Sequence, residues 1–246
     1  MDLPRSTAEL LDAARRAGTA RPLVTFYDDA TGERIELSTT TFGNWVAKTA
    51  GLLDEIGVAR GDRVAFLLPV HWQSTVFLVS CWEIGAVPVV GSEPEDCVAA
   101  VASADRLDEA VALGVDTTIG ASLDAFGRPL SGAPDGVVNY ADEVPGYPDD
   151  LFVADPPEPG DPALAGADGT LSGTRLIELA GEYAKHRGLD AGSRLLSEAA
   201  PDSLDGVLAS AVVPLALGGS VVLCRNLDPA VLERRIETER VTKTAG

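Results

Sequence analysis

The sequence predicts an α/β fold with helices layered on mostly parallel sheets. Three observations point there. Arg63-Val64-Ala65-Phe66-Leu67-Leu68 is a nearly unbroken apolar run stopped by Pro69, which suits a strand buried on both faces. A helical stretch over residues 73–84 follows, closed by Gly85, and Ala86-Val87-Pro88-Val89-Val90 then supplies another core strand. Strand, helix and strand at this spacing make a right-handed βαβ crossover. A hydrophobic share of 46% over 246 residues is ample for a core and argues against wholesale disorder.

The elements before the crossover follow from caps and turns. Ser6-Thr7-Ala8-Glu9 has the pattern of a capping box, with Ser6 as N-cap and Glu9 three residues on, and opens a short helix through Arg16. Residues 23–27 and 33–37 are β-rich runs around Asp28-Asp29-Ala30-Thr31-Gly32, which predicts a hairpin. Residues 39–41 cap a helix whose apolar positions include Phe42, Trp45, Val46, Ala50, Leu52 and Leu53, ending near Gly57.

After the crossover the pattern softens. Residues 95–102 and 105–113 are expected to form short helices, with strands at 115–119 and 136–140. Residues 142–161 are crowded with Pro, Gly, Asp and Glu, the composition of an exposed loop or linker, and a subdomain boundary is placed there. Residues 174–187 are helical, and 192–196 open toward a strand. Residues 206–224 are a nineteen-residue run without a charge. Its length would span a membrane, but Pro214 and Gly218-Gly219 interrupt it, so a buried helix, a glycine stop and a core strand at 220–223 are expected. Residues 229–239 form an amphipathic helix in which Glu233-Arg234-Arg235-Ile236-Glu237 is a solvated face with Ile236 turned inward. A further strand starts near Val241.

The formal charge is -19, and the lysines are Lys48, Lys185 and Lys243. Such a surface repels phosphate backbones and anionic lipid, which disfavours nucleic-acid and membrane partners. Cys81, Cys97 and Cys224 are widely spaced and contain no CxxC pair, the usage of reduced thiols in a cytoplasmic protein. His71 and His186 are isolated, so no metal ligand set is expected. Ser172 and Ser203 lie outside any GxSxG elbow, and GxGxxG is absent. His71, followed by Trp72, is read as a packed or exposed loop residue without an identifiable catalytic partner. No catalytic residue is nominated.

Collinear blocks carry a resemblance. Gly57-Val58-Ala59-Arg60-Gly61-Asp62-Arg63-Val64 with the strand to Pro69, and Cys81-Trp82-Glu83-Ile84-Gly85-Ala86-Val87-Pro88-Val89-Val90, are similar to the opening blocks of the adenylate-forming superfamily of acyl- and aryl-CoA synthetases, peptide-synthetase adenylation domains and luciferases. Val213-Pro214-Leu215-Ala216-Leu217-Gly218-Gly219-Ser220-Val221-Val222-Leu223 resembles its "PLxxGGxxVL" pattern, and residues 188–196 and 232–242 resemble the segments that flank it. The resemblance, to the N-terminal portion and to short bacterial relatives, implies one domain over residues 1–246. One subdomain would take about residues 62–160, and the other residues 1–61 plus 161–246.

Adenylation needs backbone N–H groups and cations around a polyphosphate, and a metal. The superfamily supplies them from a Ser/Thr/Gly-rich loop ending in Pro-Lys-Gly. In this sequence Leu171-Ser172-Gly173-Thr174 aligns with the start of that loop, or Gly169 to Leu176 align with the segment just after it and the loop is deleted. The second alignment is favoured because Leu176 then begins the expected helix directly. In neither does Pro-Lys-Gly follow, and Arg175 is no drop-in replacement for the lysine. Asp168 would add negative charge at the same place. Ala199-Ala200-Pro201-Asp202-Ser203 stands where the family has an aromatic-His block, and the family's metal-binding, ribose-binding and C-terminal lysine motifs would lie past residue 246.

Losing one transition-state donor costs about two to three orders of magnitude in rate. A non-catalytic or vestigial synthetase-like binding or regulatory module is therefore expected, with no cofactor. The alternative is an acyl- or nucleotide-binding enzyme of altered chemistry, or one completed by a partner domain. For that alternative Gly169, Thr170, Ser172, Gly173, Thr174 and Arg175 are the candidate contacts to ATP, AMP or acyl-CoA. A homodimer or protein partner would cover exposed sheet edges.

Overall fold

The computed structural model describes residues 3–18, 21–91, 94–124, 128–167 and 169–245. A 3-10 turn (Thr7–Glu9) leads into α1 (Leu10–Ala17), followed by β1 (Val24–Asp28), β2 (Glu33–Leu37), α2 (Thr39–Glu55), β3 (Arg63–Leu67), α3 (Trp72–Ile84) and β4 (Val87–Val89). Next come β5 (Cys97–Ser103), α4 (Leu107–Ala112), β6 (Thr117–Ala121), β7 (Val138–Asn139), α5 (Tyr140–Glu143), β8 (Pro162–Gly166), β9 (Gly169–Ser172) and α6 (Gly173–Arg187). The C-terminal part holds β10 (Arg194–Ser197), α7 (Leu204–Val207), α8 (Val213–Ala216), β11 (Ser220–Arg225), α9 (Leu232–Glu239) and β12 (Lys243–Ala245).

The strands make two sheets, in the orders β12-β10-β11-β1-β2 and β7-β6-β5-β3-β4-β8-β9. Pairing is parallel except in the β1–β2 and β8–β9 hairpins. The mixed α/β fold with mostly parallel sheets is thus as the sequence predicts. Strand alternation then builds the layers. Val64, Phe66 and Val101 face a central cluster with α2 and α3, whereas Ala65, Leu67, Ala100 and Ala102 meet Leu107 and Ala110 of α4 on the opposite face. In the other sheet Val221 and Leu223 face the central cluster, while Val222 and Cys224 pack against Leu232 and Ile236 of α9.

Helices α1, α2, α3, α6 and the 204–216 run fill the space between the sheets, and α4 and α9 cover the outer faces. α3 is enclosed by neighbours, so every residue of it except Glu83 is buried, and its Trp82 Nε1 donates to the Ala163 carbonyl of β8 at 2.6 Å. Parallel pairing of β1 with β11, Val24 opposite Val221, joins the N-terminal hairpin to the C-terminal region. Strands β8 (Pro162–Gly166) and β9 (Gly169–Ser172), grouped by the sequence with the C-terminal part, lie in the larger sheet.

Several local expectations are corrected. Residues 95–102 are not a helix: β5 runs over Cys97–Ser103 between β3 and β6. Alanine favours helix in isolation, but here two flanking strands satisfy the backbone and small side chains let α4 sit close. The capping box does not form, since the Glu9 carboxylate accepts from the Arg5 backbone N–H at 2.9 Å and the Ser6 side chain caps nothing. Helix α2 is capped by Ser38, whose Oγ accepts from Thr41 N–H at 3.0 Å.

The uncharged run is α7, a π-helical stretch (Leu208–Val212), α8 and β11. Pro214 has no N–H to give the Ser210 carbonyl, which accepts instead from Thr75 Oγ1 at 3.4 Å. No helix among the described residues is long and apolar enough to cross a membrane.

The charged face of α9 is also not simply solvated. Arg235 is buried and donates to the Asp29 carboxylate at 2.6 and 3.1 Å. Glu239, also buried, accepts from Arg194 at 2.6 Å, Tyr27 at 2.5 Å and Arg34 at 3.0 Å. Ile236 faces inward as expected.

Candidate functional site

Strands β4 and β5 lie on opposite sides of β3, so the order in which the chain adds parallel strands reverses beside β3, and α3 and α4 pack on opposite faces. Such a reversal leaves a crevice beyond the carboxyl ends of the strands. The crevice here has a volume of about 870 Å³ and is lined by Leu67, Val89, Glu95, Arg106, Glu109 and Asp202. Arg106 grips Glu109 through Nε and Nη2 at 2.9 and 2.6 Å, hydrogen bonds that raise its own pKa.

A smaller cavity of about 160 Å³ adjoins it, walled by Val90, Leu164, Leu171 and Leu204. Gly91 and Asp202 border both spaces. At Gly91 the backbone has φ +60°, and a Cβ would stand 2.1 Å from the Asp202 carbonyl oxygen, so only glycine lets the two loops touch.

The sequence-nominated residues divide. Gly169 and Thr170 belong to β9, with Gly169 opposite Gly166 and Thr170 opposite Ala165, so the segment before α6 is a strand. β8 and β9 are joined by residues 167 and 168 alone, and Asp168 lies outside the described residues. Gly169, at φ +103°, lines the small cavity.

The other four nominated residues face elsewhere. Ser172 is the N-cap of α6 and accepts from Arg175 N–H at 3.2 Å. Gly173 N–H donates to the Asp161 carbonyl at 3.0 Å, and Thr174 N–H to the Pro159 carbonyl at 2.9 Å. The first three N–H groups of α6, the ones that could hold an anion, are therefore occupied. A Cβ on Gly173 would meet Thr7 Oγ1 at 3.0 Å and Ser6 Cβ at 3.2 Å, so the N-terminal segment covers this helix end. The Arg175 guanidinium pairs with Glu178 at 2.9 Å and Glu182 at 3.2 Å along the helix surface.

His71 is buried in the packed setting that the sequence suggests, but it does have a neighbour. Its Nδ1 accepts from Gln73 N–H at 3.2 Å and its ring meets Phe26 edge-on at 4.5 Å. Nε2 stands 3.7 Å from Glu33 Oε1, and neither atom has a hydrogen-bond partner among the described residues. Burial lowers the pKa of His71, with Glu33 opposing. Burial also pushes the thiols of Cys81 and Cys224 up to about 12 and about 11, so neither is a ready nucleophile. Among the described residues no three His, Cys, Asp or Glu side chains form a metal cluster.

No protein-family model matches the chain. It is 44% identical over 246 residues to a TIGR03089 family protein of Mycobacterium tuberculosis, covering 95% of each. The chain belongs to the TIGR03089 family. Its likeness to the acetyl-coenzyme A synthetase of Streptomyces avermitilis is 29% over 136 residues, 54% of this chain and 20% of that enzyme. In fold it is similar to an acyl-CoA synthetase of Brucella canis (TM-score 0.79, 19% identity), spanning 98% of this chain and 47% of that one. A putative long-chain-fatty-acid CoA ligase of Rhodopseudomonas palustris gives a TM-score of 0.77 at 18% identity, over 98% of this chain and 63% of that one. This TIGR03089 family chain has the fold of the N-terminal region of adenylate-forming enzymes and spans about half to two-thirds of the solved chains it matches.

Sequence reasoning missed Gly91, Arg106 and Glu109 as site residues. The signal available was the end of an apolar strand at Gly91. Assigning residues 95–102 to a helix hid β5, and with it the reversal that opens the crevice.

Proposed function

We propose that this TIGR03089 family chain is a non-catalytic relative of the acyl-CoA synthetase N-terminal region, a module that binds a small molecule in the cleft beside the β8–β9 hairpin and does not adenylate it. The observation that carries this reading is the occupancy of the α6 N-terminus. Its N–H groups are spent on Asp161, Pro159 and Ser172, and Arg175 is spent on Glu178 and Glu182. A polyphosphate placed there would have to displace all of these contacts and would meet Arg175 already paired. Electrostatic stabilisation of the charge that develops on the α-phosphate and the leaving pyrophosphate is usually the largest single contribution in adenylyl transfer, and this arrangement does not supply it.

The test is direct. The purified chain is expected to catalyse no ATP–pyrophosphate exchange, and calorimetry is expected to be silent with ATP and AMP. Saturable micromolar ATP binding that weakens in Arg175→Ala would overturn the reading in favour of a nucleotide site.

A further inference from the structure

The small cavity beside the hairpin has apolar walls and an acidic rim. Leu164, Leu171 and Leu204 line it, and Asp202, exposed at the mouth, is the one ionisable side chain among its described lining residues. The adjoining crevice adds Glu95 and Glu109 against Arg106, which Glu109 already grips. Asp202, Glu95 and Glu109 thus border this edge, with Arg106 the one basic residue among its described lining residues. A formal charge of -19 sets a repulsive background for any anion. No lysine or arginine is among the described residues lining the cavity; the N–H groups that open α6 are taken by its own chain, and at the start of α7, which borders the cavity, Ser203 Oγ accepts from Gly206 N–H.

The geometry points to a ligand of the opposite charge to a carboxylate or phosphate: a short-chain primary amine, with its tail between Leu164, Leu171 and Leu204 and its ammonium group at Asp202. This assignment rests on the reading of the cleft as a small-molecule site that does not adenylate, and it names the class of molecule. The volume, about 160 Å³, fits it. An apolar cavity of about 150 Å³ takes a benzene-sized guest, so a chain of about six carbons is the natural upper size. Asp202 is exposed, so its attraction is screened and is expected to change affinity by about threefold to tenfold, less than a buried pair would give.

The measurement is a ¹H–¹⁵N titration of the full chain at pH 7 and low salt, following the amides of Gly91, Gly166 and Gly169. The probes are hexylamine, hexan-1-ol and sodium hexanoate, equal in tail and different in charge. Hexylamine is expected to bind saturably and about tenfold more tightly than hexanoate, with hexan-1-ol between them. Asp202→Asn should bring hexylamine and hexan-1-ol within about twofold of each other. Leu171→Trp, which fills the cavity from a half-buried position, should abolish all three, and Leu204→Trp repeats the block in case the first variant misfolds.

No saturable shift with hexylamine overturns the proposal. So does hexanoate or hexan-1-ol binding as tightly as hexylamine, or shifts that survive both tryptophans. Pyrophosphate exchange keeps the two readings apart. Exchange with the amine preference intact defeats the non-adenylating reading, whereas no exchange with hexanoate preferred defeats only the amine assignment.

Discussion

Glu83 lies on α3 facing α1, near Asp12 and Arg15. Burial lifts its carboxyl to about 7, with Asp12 adding and Arg15 opposing. In the unfolded chain the group titrates near its ordinary value of 4.5. Between these two values the folded chain holds a proton that the unfolded chain has released, so stability falls as pH rises from about 4.5 to about 7 and is level beyond. Glu83→Gln removes the titration. It is expected to match the parent at pH 4 and exceed it at pH 8 by about 1–3 kcal/mol. Urea midpoints at the two pH values check this, and equal midpoints at pH 8 would refute it. Glu239 works in the other direction: burial raises its pKa, but hydrogen bonds from Tyr27, Arg194 and Arg34 more than offset that and leave it lowered. Its contribution is present above its unfolded value and is lost as pH falls through the folded one.

At the scale of elements, α3 starts on an unusual cap. Ser, Thr, Asp and Asn hold most N-caps, but here His71 Nδ1 accepts from Gln73 N–H, so the neutral ring carries its proton on Nε2, toward Glu33. His71→Asn keeps a capping acceptor and His71→Ala does not, while both lose the ring contact with Phe26. The alanine variant is expected to be less stable than the asparagine variant by about 1 kcal/mol, read from their thermal midpoints. Equal midpoints would mean that the nitrogen caps nothing of consequence. The sequence did not disclose this cap, because propensity places histidine in turns without saying which nitrogen faces the helix. The elements it did disclose are those whose pattern is self-contained, such as the β1–β2 hairpin, the β3–α3–β4 crossover and α6. β5 was hidden because an alanine-rich run takes its conformation from neighbours on either side. Arg235 was misjudged for a related reason: its partner Asp29 is distant in sequence, and charge alone reads as solvated. At the candidate site, Gly169 was nominated only through the resemblance, as part of a degenerate nucleotide loop, whereas the crevice needed the strand order.

The whole molecule joins its ends. β1 lies between β2 and β11 in one sheet, while the larger sheet is built from residues 63–172. One apolar cluster contains Phe26 and Val221 from the first sheet, Val64 and Val101 from the second, and α2 and α3 between them. Two subdomains with separate cores would unfold in steps, but with the central core shared between the sheets, losing either sheet uncovers the inner face of the other. Trp45, Trp72 and Trp82 all sit in α2 and α3, so their fluorescence reports the middle layer, and far-ultraviolet circular dichroism reports every layer. The two signals are expected to trace one coincident transition in urea. A fluorescence change that precedes or trails the dichroism, with a plateau between, would show that the sheets unfold separately. Coincidence also has a consequence for the cleft. Its walls come from residues 90–91 after β4, from β8 and β9, and from residues 202–204 at the start of α7, segments drawn from both sides of the shared core, so a ligand held there binds only the folded chain. Hexylamine at concentrations that saturate the glycine shifts is therefore expected to raise the common midpoint, while Leu171→Trp removes that increment and leaves the transition single.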